Sequence, residues 1–126
     1  KEELKIINET RKILNLPKLK ITATAVRVPV LNCHAESINA EFFKPFDEQK
    51  AKAVLSAARG VVLSDDPEKG IYPTAADADG KEQVFIGRVR QDFSAKSAIN
   101  MWVVADNLLK GAAQNAVSIA ELLING

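Results

Sequence analysis

The chain has 126 residues, 47% of them hydrophobic and 26% charged, with a formal net charge of +1. That is enough for one compact domain over residues 1–126 and too little for two, and the composition excludes a disordered tail. The charge leaves no electrostatic footprint for nucleic acid or an anionic membrane, no apolar run is long enough to span a bilayer, and the single cysteine, Cys33, excludes an internal disulfide framework and suits a reducing compartment.

The first predicted element is a helix over residues 2–14, with Glu2 and Glu3 favouring its N-terminal dipole and Asn15-Leu16-Pro17 ending it. Residues 21–31 are rich in β-branched side chains and predict a strand, with Pro29 marking an edge, bulge or irregular stretch. Residues 33–43 predict a second strand, with Ile38, Ala40 and Phe42 on one face. Asp47 caps a predicted helix over 48–59, and Gly60 sits where a terminating glycine belongs. A short buried strand follows at 61–63, then a long irregular stretch over 64–81. Residues 83–90 and 98–105 predict two more strands. A long C-terminal helix is marked by Leu109, Ala112, Ala113, Ala116, Ile119, Ala120 and Leu123. Strands interleaved with three helices predict an α+β fold, with helices covering one face of a mixed, largely antiparallel sheet.

Few residues carry chemistry. His34 is the only histidine and is either structural or a base. On strand alternation it shares a face with Glu36, which would orient a ring nitrogen. Cys33 is its neighbour, but adjacent side chains on a strand face opposite ways, so Cys33 reads as a structural thiol. Arg27 sits among apolar residues and calls for a partner, either a carboxylate of this chain or one on a ligand; the residues alone do not separate the two. Glu2 and Lys5 are three apart on a helix and read by default as solvated surface. Arg88 and Arg90 share a strand face and either bind an anion or face solvent. No metal site is expected: aligning Asp77-Ala78-Asp79-Gly80 to a calcium loop puts Ala75 and Ile86 at ligand positions. The six glycines form neither G-x-G nor a phosphate loop.

Four segments are familiar together: EELKIINETRKIL, AVRVPVLNCHAES, GRVRQDF and MWVVADNLLKGAAQNAVSIAELL. From end to end the chain resembles the C-terminal half of the aspartate-β-semialdehyde dehydrogenase family. The related reductases acting on N-acetylglutamyl phosphate match less well. The resemblance implies the C-terminal catalytic domain of a glyceraldehyde-3-phosphate-dehydrogenase-like fold, forming a homodimer in the cytoplasm. It implies an NADP-dependent enzyme that reduces aspartyl β-phosphate to aspartate β-semialdehyde, toward lysine, threonine and methionine. The family's Arg-x₆-His pattern falls on Arg27 and His34. Arg27 would bind the substrate α-carboxylate, and His34 would be acid and base to a catalytic thiol. The family's Glu-x-x-Lys falls on Glu2, toward the substrate amino group, and Lys5, toward phosphate. Asn107 matches a position that touches the cofactor.

Converging Arg27 and His34 requires a bend, expected at Pro29 and at Asn32-Cys33. The family's nucleophilic cysteine and its glycine-rich nucleotide fingerprint have no counterpart here. The start at Lys1, with Met101 the only methionine, likewise reads as a piece of a longer protein, with no signal-peptide core. The expectation is therefore half an active site, inactive by itself. The alternative is a non-catalytic dimerisation or binding module of the same fold.

Overall fold

A computed structural model describes residues 1–45 and 47–125. Its centre is a mixed sheet of four strands, in the order β1 (His34–Glu41), β4 (Ala98–Ala105), β3 (Val84–Gln91) and β2 (Val61–Leu63). The β1–β4 and β4–β3 pairs are antiparallel, and β3–β2 is parallel. This is the expected α+β class with a mixed, largely antiparallel sheet.

Strand alternation sorts the core into two layers. Ile86, Val89 and Ile99 meet Ala51 of helix α2 (Glu48–Ala57), with Leu55, Val61, Leu63, Met101 and Val103 around them. On the other face Phe85 and Val104 meet Cys33 and Ala78, with Val62, Ala75 and Trp102 alongside. Helix α2 begins as expected: the Asp47 carboxylate accepts the Lys50 N–H at 2.7 Å. The second face is covered by the 64–81 stretch, which contains one helical turn, α3 (Ala75–Ala78). Asp77 accepts both the Thr74 N–H, at 2.7 Å, and the Thr74 hydroxyl, at 2.6 Å, which fixes the start of that turn.

Two predicted elements differ. Residues 21–31 form no strand. Their β-branched composition suits a pleated sheet, but no ladder partner lies beside them, and the Ala25 N–H is taken by the Glu3 carboxylate at 3.0 Å. The C-terminal helix, α4, runs over Gln114–Asn125 instead of starting at Leu109. Within Leu109–Ala113 the backbone breaks, because Gly111 adopts φ 85° and its N–H donates to Asn115 Oδ1 at 3.0 Å. The first helix, α1 (Glu2–Ile13), closes with Asn15 at φ 54° and a Leu16 N–H bonded to the Arg11 carbonyl at 2.9 Å.

Neither α1 nor α4 buries a residue, and Leu4, Ile13, Val26, Leu31, Ile119, Leu122 and Leu123 are all exposed. Among the described residues no helix is long and apolar enough to cross a membrane.

Candidate active site

His34 is the first residue of β1 and pairs with Ala105, the last of β4. The register puts His34 and Glu36 on the α2 face of the sheet, and Ala35 and Ser37 on the other. Among the described residues no hydrogen bond joins His34 to Glu36. The imidazole is exposed, while the thiol one residue earlier is buried.

Cys33 sits just before the strand at φ 78° and turns the chain into it. Its thiol donates to the Ala75 carbonyl at 3.4 Å. Burial pushes the thiol pKa above its ordinary value, and the Asp106 and Asp79 carboxylates push it further. Such a thiol is a packing group held protonated, which agrees with the structural reading and opposes a nucleophilic one.

The bend before His34 is present at both expected places. The Val30 N–H bonds to the Val28 carbonyl at 2.8 Å, a three-residue turn around Pro29. The second bend is at Cys33 itself, where φ is 78°.

Arg27 has its partner. Its guanidinium lies 3.1 Å from the Glu2 carboxylate, which joins α1 to the extended segment across 25 residues. The Arg27 side chain is 86% exposed, so it is not the buried charge that a strand position would have made it. An exposed pair of this kind is worth roughly 0–1 kcal/mol, so it opens readily to a competing ligand. Lys5 stands one turn along α1 at 3.8 Å from Glu9, a loose contact. The structure brings Glu2 and Arg27 together; among the described residues it makes no bond from either of them to His34.

Asn107 lies two residues beyond Ala105, in the turn after β4, and is half-buried. It therefore shares the end of the sheet at which His34 begins β1. Among the described residues no group of three or more His, Cys, Asp or Glu side chains is placed to hold a metal.

Sequence reasoning missed two buried carboxylates. Asp106 accepts the Gly80 and Leu108 N–H groups, each at 2.9 Å, and these bonds hold its pKa below the usual carboxylate value. The Asp65 side chain is fully buried and accepts the Arg88 N–H at 2.8 Å, the Val89 N–H at 3.2 Å and the Lys52 ammonium at 3.0 Å. It supports the bulge between Gly87 and Arg90, where Arg88 adopts φ 55°. Arg88 and Arg90 both stay exposed, and Arg90 bonds to the Arg88 carbonyl at 2.8 Å. Neither carboxylate stands out by periodicity; the only signal was an Asp within two residues of a strand end.

The fold and these positions can be set beside known proteins. The family model described as semialdehyde dehydrogenase, dimerisation domain, matches residues 1–110. The chain belongs to that family. It is 51% identical over 123 residues to the aspartate-semialdehyde dehydrogenase of Prochlorococcus marinus, covering 98% of this chain and 36% of that protein. The Bacillus subtilis aspartate-semialdehyde dehydrogenase is 48% identical, with 97% and 36% covered. The crystal structure of aspartate semialdehyde dehydrogenase II from Vibrio cholerae complexed with ASA superposes with a TM-score of 0.82, at 47% identity, covering 99% of this chain and 37% of that one. This dimerisation domain thus spans just over a third of the length of the curated relatives it matches.

Proposed function

We propose that this chain is the substrate-binding and dimerisation half of an NADP-dependent aspartate-semialdehyde dehydrogenase, in which residues 1–126 form one domain. The observation that carries the reading is the Glu2–Arg27 pair. Residues far apart in sequence are held 3.1 Å apart as a solvent-facing anion and cation, at the two positions where the family resemblance puts contacts to an amino acid. A zwitterionic substrate matches both charges: its α-carboxylate docks on the Arg27 guanidinium fork, and its amino group on Glu2. Lys5, loosely held, is then the cation for the phosphoryl group.

In the reaction a cysteine outside this chain attacks the β-acyl carbon of aspartyl β-phosphate, phosphate leaves, and a thioester remains. His34 takes the thiol proton at the first step and returns a proton when the thioester is reduced. When bound, NADPH would supply the hydride that reduces the thioester, and the cysteine thiolate would leave as the aldehyde forms. Within this chain Asn107 would be the residue that holds the nucleotide, as the resemblance implies; the sequence contains no glycine cradle for phosphates. The dimer would cover exposed apolar side chains, and the enzyme would act in the cytoplasm, toward lysine, threonine and methionine.

The test is turnover by the full-length protein, followed at 340 nm as phosphate-dependent oxidation of aspartate β-semialdehyde with NADP⁺. His34→Ala should reduce the rate roughly 10²–10⁴-fold. A folded dimer with no turnover would replace this reading with the non-catalytic module.

A further inference from the structure

Asp106 is 4% exposed and directly follows β4. One carboxylate oxygen accepts the Leu108 N–H and the other the Gly80 N–H, both at 2.9 Å. Its backbone carbonyl takes the N–H groups of Leu109, at 3.2 Å, and Lys110, at 2.8 Å. The bond to Gly80 crosses 26 residues of chain to the segment that ends α3. That same segment holds the residues before His34: Asn32 donates to the Asp79 carboxylate at 2.9 Å, and the Cys33 thiol to the Ala75 carbonyl at 3.4 Å. The sheet ladder stops at His34 and Ala105 and cannot fix the turns beyond them. The 75–80 segment does so, by tying the start of β1 and the turn after β4 to one short piece of chain.

We propose that Asp106 is a positioning residue for Asn107, holding the turn that carries it in place against the His34 end of the sheet. The proposal rests on the reading of Asn107 as a nucleotide contact. A carboxylate is required because two diverging N–H donors need two acceptor oxygens; an asparagine offers one and turns an NH₂ group toward the other donor.

The test is a double-mutant cycle in the full-length dehydrogenase, with NADPH binding followed by fluorescence titration. Asp106→Asn and Asn107→Ala should each weaken NADPH about fivefold or more, and the double variant should bind within about twofold of Asn107→Ala. A residue that acts only through overall stability gives multiplying effects in the double variant, and that result overturns the proposal. Unchanged NADPH affinity in Asp106→Asn overturns it as well. Should Asn107→Ala alone leave NADPH binding unchanged, the nucleotide reading of Asn107 fails and the positioning role falls with it; the single variant makes this failure distinct from the others. Asp106→Ser keeps an acceptor for Leu108 but lacks the reach to Gly80, and it runs the same cycle if Asp106→Asn does not fold.

Discussion

Gly87 is the position where a single methyl group should cost most. It lies on β3 opposite Trp102 of β4, under the stretch that covers that face. A Cβ built there would collide with the Ser64 carbonyl oxygen and with Pro73 Cδ. Neither can swing aside. Ser64 is held by its N–H bond to the Ile86 carbonyl at 2.8 Å, and Pro73 is a fully buried ring whose carbonyl accepts the Trp102 indole N–H at 3.1 Å. In Gly87→Ala the covering stretch must lift. Overpacking costs about 1–3 kcal/mol, and the lost indole bond about 1 kcal/mol. Replacing a strand glycine returns about 0.5–1 kcal/mol. The net is a loss of about 1–3.5 kcal/mol, or roughly 4–13 °C in Tm for a chain of this size. Thermal unfolding by circular dichroism measures the loss, and Trp102, the only tryptophan, reports its origin through its emission. Gly70 is the control, since nothing lies within 4 Å of a Cβ there and its only demand is φ 67°. Gly70→Asn should therefore be nearly neutral, because asparagine tolerates that conformation, whereas Gly87→Asn should be worse than Gly87→Ala. A Gly87→Ala Tm within about 2 °C of wild type, or an unshifted Trp102 emission, would refute the steric argument.

On the proposed function, Arg27→Lys in the full-length protein should cost roughly 2–4 kcal/mol in kcat/KM, because a lysine cannot grip a carboxylate through two parallel bonds; a loss below threefold rejects the clamp. Cys33→Ser should leave most of the turnover intact, and trapping of substrate carbon on Cys33 by mass spectrometry would overturn that. The folded pKa of Cys33 is raised, so its contribution to stability is present below its ordinary pKa of 9.0 and is lost as pH rises through the folded value. Denaturation midpoints should accordingly fall in alkali for the wild type more than for Cys33→Ala, and equal slopes would contradict this. The chain should sediment as a dimer at about 100 μM with an interface near about 1,600 Å², and a clean monomer would reject self-association.

The inner strands β3 and β4 were legible because most of their side chains are enclosed, and β1 because its half-buried Ile38 and Ala40 alternate with exposed residues. Residues 98–105 carry apolar groups at nearly every position, and the structure makes that segment the inner strand β4. Caps were equally local: Asp47 starts α2 and Asn15 ends α1, since each bonds or bends within its own turn. Residues 21–31 show the limit of that logic. Their composition matches a strand, but a strand exists only where a neighbour supplies the other half of the ladder, and no local pattern encodes the neighbour. Gly111 shows the reverse case: apolar spacing carried the predicted helix through a glycine whose positive φ interrupts it.

The site divides the same way. The sequence by itself determined which residues carry charge or a titratable ring, that Cys33 and His34 diverge, and, through four matching segments, the family. Only the tertiary structure decided that Arg27 meets Glu2 and that Asp106 reaches Gly80. It alone placed His34 and the Asn107 turn at one end of the sheet. Those contacts span 25 residues or more of chain, and a hydrogen bond depends on positions good to a few tenths of an ångström. Side-chain periodicity sets which face a residue takes; it carries no information on which distant residue arrives opposite, because packing of the whole chain fixes that.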